Sequence, residues 1–362
     1  MTVLHLRGRI VADEEHEVGD AWVLDGRLTF DRPSVEPEAT LTGVVLPGLV
    51  DVHCHVGLSA AGATDVPTAR AQALADRDSG VLLIRDAGSP LDTSWVADEP
   101  ELPRLVRAGH HLARPRRYLR DYARELADPD ELPAAVAQEA ARGDGWVKLV
   151  ADWIDRDLPA GGDLTPLWTS RQLAESVAAA HAGGARVTAH TFATETLDDL
   201  LAAGVDCLEH ATGADPAQIE AIAAAGIPVT ATLLQVAQFG VIAEAGTRFP
   251  AFAARMRAMH ARRYDQVRDL HDAGVQILVG TDAGGTIVHG RIADEAAELV
   301  AAGIPAAQVV AAATWRARRW LGVPGMVEGA SADLVVYATD PRTDIRALAE
   351  PAAIVLRGVR VR

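Results

Sequence analysis

Two histidines, His53 and His55, stand one residue apart in the apolar run Val-Asp-Val-His-Cys-His-Val-Gly-Leu that follows Pro47-Gly48. Side chains two apart on a strand face the same way, so this pair can grip one cation, and neutral imidazole suits Zn²⁺ or a similar metal. Lys148 in GWVKLVADW, His190 in VTAH, His210 in CLEH and Asp282 in ILVGTD lie at or near the ends of other short apolar runs. Each has an ordinary explanation when taken alone. A His-x-His can be a satisfied core pair, a buried histidine can bond a carbonyl, Asp282 can form a turn, and Lys148 can bury its stem while its ammonium reaches solvent. Their joint placement separates the readings, because unrelated core histidines have no reason to collect at the same end of successive strands.

Lys148 has apolar flanks, and a lysine kept neutral by burial has two chemical uses. It can form a Schiff base with a carbonyl substrate, or react with carbon dioxide to become an anionic carbamate. Beside four histidines and Asp282, an anionic bridging ligand makes better electrostatic sense than another amine. Asp282, strand-final and opposite the His-x-His pair, can bind metal and also move protons.

The elements that must position these residues follow a repeated local pattern: an Ala-rich helix, a glycine that can end it, and a short apolar strand. It occurs in AESVAAAHAGGARVTAH, ending at His190, in LDDLLAAGVDCLEH, ending at His210, in IEAIAAAGIPVTAT, ending at Thr232, and in VRDLHDAGVQILVGTD, ending at Asp282. Earlier strands are read in GLVDVHCHV, GVLLIRDAG, PRLVRAGHHL and GWVKLVADW, with helices such as DELPAAVAQEAARG between some of them. Eight strands alternating with helices over residues 47–325 predict an α/β fold of the (β/α)8 TIM-barrel kind, whose functional side chains gather at the C-terminal strand ends. A doubly wound sheet is the alternative, but no G-x-G-x-x-G follows the first strand. Residues 1–46 and 326–362 show strand alternation, with Asp25-Gly26 as a hairpin signal, and are expected to form one small β domain built from both termini.

With 50 acidic against 34 basic residues, the net charge of −16 would repel nucleic acid and anionic lipid, so no nucleic-acid and no membrane partner is expected; a small-molecule substrate is expected too, but the charge says nothing about it. The only cysteines, Cys54 and Cys207, lie in apolar runs, so no disulfide framework is indicated and a cytoplasmic location is expected. No stretch approaches the ~18 apolar residues of a membrane span.

The segments LPGLVDVHCHVGL, LLIRDAG, WVKLVADW, VTAHTF, CLEHAT, VGTDAGG, VHGRIADEAAELVAAG and GMVEGASADLVVYATDP resemble, in order, the metal-dependent amidohydrolase superfamily, in its prolidase-like and imidazolonepropionase-like branch. The resemblance implies a distorted TIM barrel with a β-sandwich from both termini. It also implies two divalent metal ions, usually zinc: one held by His53, His55 and Asp282, the other by His190 and His210, with carboxylated Lys148 bridging them. A hydroxide shared by the two ions would attack the substrate carbonyl while Asp282 carries the proton to the leaving nitrogen, hydrolysing an amide-type C–N bond. Many members form closed homo-oligomers.

The chain departs from the branch in two places. Where a tyrosine often follows the strand-five histidine by two residues, this chain has Phe192, which cannot hydrogen-bond an oxyanion. Where a Gly-Gly-His often follows strand three, RAGHHLARPRRYL puts Tyr118 near the histidine's place, and Tyr118, His110 and His111 are candidates for the missing donor. Arg116, Arg117, Asp152, Trp153, Trp168 and His289 fall in segments expected near the mouth, with His289 and Trp153 favoured as substrate contacts and an arginine able to clamp a carboxylate. Competing readings are a mononuclear deaminase, which leaves Lys148 without a role, a Schiff-base lyase using Lys148, and a non-catalytic scaffold, against which the full ligand set speaks.

Overall fold

The structure is a computed structural model and describes residues 3–158 and 161–362. Parallel strands Leu49–Cys54, Val81–Asp86 and Arg104–Arg107 form one barrel section. His111–Ala113, Trp146–Val150, Arg186–Thr191, Cys207–His210, Val229–Thr230 and Ile277–Leu278 form the other, also parallel. Arg104–Arg107 and His111–Ala113 are two pieces of the third barrel strand. Across the break, the Ala108 amide donates to the Asp86 carbonyl at 3.2 Å and the Ser89 amide to the Gly109 carbonyl at 3.0 Å. Strand eight closes onto strand one through Val52 N–H to the Val279 carbonyl at 3.0 Å and Asp282 N–H to the His53 carbonyl at 2.7 Å. The barrel is distorted where its seventh and eighth strands shrink to two residues each.

Outward-facing Val147, Leu149, Val187, Ala189 and Leu208 pack in one continuous core beneath the surrounding helices, so the strands are buried on both faces as parallel sheets require. Local sequence sets the helix starts. Asp65 caps Val66–Asp78, and Thr169 with Gln172, and Asp215 with Gln218, make reciprocal capping boxes for Ser170–Ala182 and Pro216–Ala225. After strand seven the chain makes a helical excursion, Leu233–Val236, Phe239–Ala245 and Pro250–Asp272, before returning as strand eight.

The termini share one seven-stranded sheet. From edge to edge it runs Val359–Arg360, Ala353–Leu356, Leu334–Tyr337, Ala39–Pro47, Val3–Val11, Glu17–Leu24 and Arg27–Thr29. Asp25 and Gly26 turn the last hairpin with φ of 47° and 83°, the positive values that a two-residue turn matched to strand twist demands. The sheet rolls until its edges meet: a Cβ on Gly358 would stand 2.2 Å from the Gly26 Cα, and Arg27 bridges Ser331. The roll encloses Leu6, Leu28, Leu334 and Val355 as a core separate from the barrel's. Ala39–Pro47 passes directly into barrel strand one at Leu49, which fixes the entry of the His-x-His strand.

Candidate metal centre

At the C-terminal end of the lumen, Asp282 Oδ1 lies 3.1 Å from His53 Nε2 and 3.0 Å from His55 Nε2. His190 Nδ1 lies 2.9 Å from His210 Nε2, and the His53 and His210 rings are 5.4 Å apart. Lys148 Nζ pairs with Glu209 Oε2 just below. Cys54 faces the opposite way, into the core shared with Ala69 and Ala73. The barrel closure makes the geometry tight: a Cβ at Gly280 on the strand-eight side would lie 2.6 Å from the His53 Cβ.

The hydrogen bonds around the histidines fix which nitrogens are free to ligate. His55 Nδ1 is 2.7 Å from the Gly88 carbonyl, which can only accept, so Nδ1 carries a proton and donates. In the neutral ring the Nε2 lone pair faces Asp282 Oδ1 at 3.0 Å, a nitrogen–oxygen pair that a divalent cation could share. Thr232 Oγ1 donates to the Ala231 carbonyl and accepts from His210 Nδ1 at 2.6 Å, which turns the His210 Nε2 lone pair toward His190. Both ring nitrogens of His53, and Nε2 of His190, are buried without a hydrogen bond. Beside Asp282 these unpartnered nitrogens are free to take an ion.

Burial pushes His53 down to about 4 and His210 down to about 3, so both rings are neutral at pH 7, as ligation requires. Burial opposes ionisation of Asp282, but His53, His55 and His210 hold its carboxyl well below the ordinary range. The ligand atoms of His53, His55 and Asp282 lie within 4.8 Å of one another, as do those of His53, Glu209 and His210. Imidazole nitrogens and carboxylate oxygens in two overlapping sets suit divalent first-row metals.

Glu209 had no place in the sequence reading. It is fully buried, accepts from Thr188 Oγ1 at 2.7 Å and faces both Lys148 and Arg85, the latter at 3.3 Å. Strand alternation sends Glu209 and Cys207 into the lumen, so His210 would point out. A left-handed backbone at His210, φ 66°, breaks the alternation and turns its ring inward as well. Asp282 has the same local conformation, φ 56°, one that His and Asp adopt more readily than most residues.

The remaining expected contacts divide. Tyr118 and Trp153 line a cavity of ≈ 370 Å³ that opens onto His55, His190 and Asp282. Tyr118 packs on Trp153 at 4.9 Å and on His190 at 5.5 Å between ring centroids. Burial, with the charges of Asp282 and Glu209, pushes its phenol well above the ordinary range, so it stays a hydrogen-bond donor. Phe192 meets His190 edge-on, with 4.3 Å between ring centroids.

His111 is buried beneath the centre, 4.9 Å from His55, and does not line this cavity. His110 turns outward to Glu139, at 3.1 Å, because the break in strand three sends consecutive residues to opposite sides. His289 lies behind strand one, its Nδ1 2.7 Å from Asp76 Oδ2, while Gly290 N–H donates to the same carboxylate at 2.8 Å. Those two bonds compensate a carboxylate buried on helix Val66–Asp78 and draw His289 away from the mouth.

Arg116 pairs with exposed Asp157 at 3.0 Å, and Arg117 ties the Trp153 carbonyl and Thr165. Asp152 accepts the Phe192 and Ala193 amides and the Thr191 hydroxyl, and Trp168 donates to the Val150 carbonyl at 2.8 Å, so both shape loops rather than the cavity. Arg156, unremarked in the sequence, does line the cavity. A separate cleft of ≈ 480 Å³, lined by Gln276, Arg316 and Trp320, lies at the N-terminal side of strand eight, away from the histidines.

The sequence profile of the amidohydrolase family matches residues 44–361. The chain belongs to the amidohydrolase family. As an amidohydrolase it is a metal-dependent hydrolase acting on carbon–nitrogen bonds. The uncharacterized protein Rv2915c of Mycobacterium tuberculosis is 48% identical over 355 residues, covering 98% of this chain and 95% of that protein. Among solved structures, a Xaa-Pro dipeptidase with methionine bound in its active site matches this amidohydrolase with TM-score 0.85 and 21% identity over 100% of both chains. A. niger ochratoxinase matches with TM-score 0.80 and 20% identity over 100% of this chain and 96% of its own. These likenesses establish the fold, a barrel with a β unit from the termini. Among the described residues no helix is long and apolar enough to cross a membrane.

Proposed function

We infer that this amidohydrolase is a binuclear enzyme hydrolysing an amide, peptide or cyclic C–N bond of a small molecule. The observation that carries the reading is the convergence of His53, His55 and Asp282 ligand atoms within 4.8 Å of one another, beside the orphaned nitrogens of His53 and His190. His53, His55 and Asp282 would hold one ion and His190 and His210 the second, with zinc the metal best suited to this donor set. Lys148, as a carbamate, would bridge them. As an ammonium it pairs with Glu209, and as a carbamate it would set a second anion there, so its modification depends on the two cations being present. The same reading takes residues 47–325 as the hydrolase unit and 1–46 with 326–362 as the β-sandwich.

Bound divalent ions supply carbonyl polarisation and a nucleophilic water near neutral pH. Asp282, with 17% of its side chain exposed where His53 has 1%, is the carboxylate that reaches the cavity. It takes the proton from the attacking water and passes it to the leaving nitrogen, so water's oxygen ends on the acyl carbon and its hydrogen on the amine. Tyr118 donates to the developing oxyanion, the role Phe192 cannot fill. Chelated protein resupplied with zinc and bicarbonate should hydrolyse members of a library of N-acyl amino acids, dipeptides, lactams and cyclic ureas, and chelation should abolish turnover. A metal-loaded protein inert to every class would overturn the reading.

A further inference from the structure

Strand one carries chemistry on both of its faces. Its front turns His53 and His55 into the lumen, while Cys54 points back into the layer shared with Ala69 and Ala73 of helix Val66–Asp78. Among the described residues, Cys54 Sγ, a carboxylate oxygen of Asp76 and a ring nitrogen of His289 lie there within 4.8 Å of one another. They come from three separate elements: strand one, the first barrel helix and the loop after strand eight. Cys54 and Asp76 are buried, and the His289 side chain is 4% exposed in a loop whose Val288 is open to solvent. The histidine is incompletely used. Its Nδ1 donates to Asp76 Oδ2 at 2.7 Å and Gly290 N–H holds Asp76 Oδ1, but His289 Nε2 is buried without a hydrogen bond. Asp51 and Asp86, both buried, act on His289 with their charge. Their own oxygens are taken by the His53 amide and Thr281, and by the Val56 and Gly88 amides, so they add negative field without competing as ligands.

Thiolate, imidazole and carboxylate together are a donor set for zinc and its neighbours, and three protein ligands suffice to hold such an ion. We propose that Cys54, Asp76 and His289 form a cation site behind strand one, separate from the lumen centre, that takes one divalent ion of the zinc class. The ion replaces the Cys54 thiol proton, which leaves to solvent. His289 ligates as the neutral ring, with its one proton on the nitrogen turned away from the ion. The region therefore gains one positive charge, and gains it among the buried carboxylates of Asp51, Asp76 and Asp86. The bound ion pins helix Val66–Asp78 and the loop after strand eight to the back of the strand that carries His53 and His55. With a hydrogen bond already closing His289 onto Asp76, the site holds its ion less firmly than the lumen pair and is emptied along with loosely bound metal.

Cobalt separates this site from the lumen centre, whose ligands carry no sulfur. Metal-free full-length protein titrated with Co²⁺ should develop a thiolate-to-cobalt charge-transfer band in the near ultraviolet. Bound cobalt at saturation should exceed that of Cys54→Ser by about one per chain. Cys54→Ser and His289→Gln should each lose the band with the fold intact by circular dichroism, whereas Cys207→Ser, which removes the other thiol, should keep it. Absence of the band in the cobalt-saturated wild type overturns the proposal, as does a band that survives in Cys54→Ser or disappears only in Cys207→Ser. Should Cys54→Ser fail to fold, His289→Gln decides, because it leaves both thiols in place: loss of the band there supports the site, and full retention overturns it.

Discussion

Glu209→Gln is the substitution whose outcome the lumen geometry constrains most. Glu209 is fully buried, as is Arg85, and Lys148 is 1% exposed, so one carboxylate compensates two cations out of reach of water. Glutamine keeps the volume and can still accept from Thr188, so packing and that hydrogen bond are held constant while the charge is removed. A surface ion pair would lose at most about 1 kcal/mol, but stripping the partner from a buried charge costs about 3–5 kcal/mol.

Arg85 retains partial compensation from the faces of Trp146 at 5.1 Å and Trp320 at 5.8 Å, which places the expected loss at the lower end, about 3 kcal/mol. Urea unfolding of the metal-free protein at pH 7 measures it. Adding Lys148→Met to Glu209→Gln removes one uncompensated cation and should recover part of the loss. A Glu209→Gln protein within about 1 kcal/mol of wild type, or a double variant whose losses simply add, would refute the buried-charge account.

Three further outcomes follow from the same geometry. Asp282→Asn should retain metal yet lose about 10²–10⁴-fold in kcat, the usual worth of a positioned proton carrier; unchanged turnover would rule it out as the proton carrier. Tyr118→Phe should lower kcat about 10²–10³-fold with the fold intact by circular dichroism, and a change confined to KM would assign Tyr118 to substrate packing instead. His53 and His210 are depressed by burial to about 4 and about 3, so the unfolded chain takes up their protons first. Their contribution to stability of the metal-free protein is complete above the ordinary imidazole value near 6.5 and is lost as pH falls toward about 4. Melting curves across that window should be less pH-dependent in His53→Asn, and an identical slope would contradict the assignment.

The cluster of His53, His55, Lys148, His190, His210 and Asp282 was legible because its residues are polar exceptions inside apolar strands, and because alternation by two puts His53 and His55 on one face. The barrel and the shared terminal sheet followed from strand–helix periodicity. What escaped had weaker local signals. Glu209 adjoins His210, and strict alternation allows only one of two neighbours to face inward; the left-handed backbone at His210 that admits both has no mark in the letters CLEH. Arg85 sits in VLLIRDAG, where a fully buried arginine reveals itself only once Glu209 is known to face it.

His289 was misplaced because distance along the chain from Asp282 says nothing of Asp76, whose buried carboxylate draws it behind strand one. His110 and His111 were both candidates, and neither lines the cavity, for His110 turns to Glu139 and His111 packs against His55. Arg156 stood among several loop arginines, and nothing in the letters singles it out as the one that lines the cavity.

The central claim is a pair of metal ions held by His53, His55, Lys148, His190, His210 and Asp282. Elemental analysis of purified protein, after supplementation with zinc and bicarbonate and removal of loosely bound metal, tests it most directly. About two metals per chain are expected, falling to about one or fewer in His190→Ala with His210→Ala. About one metal per chain in the wild type would contradict the binuclear centre, and none would contradict the site altogether.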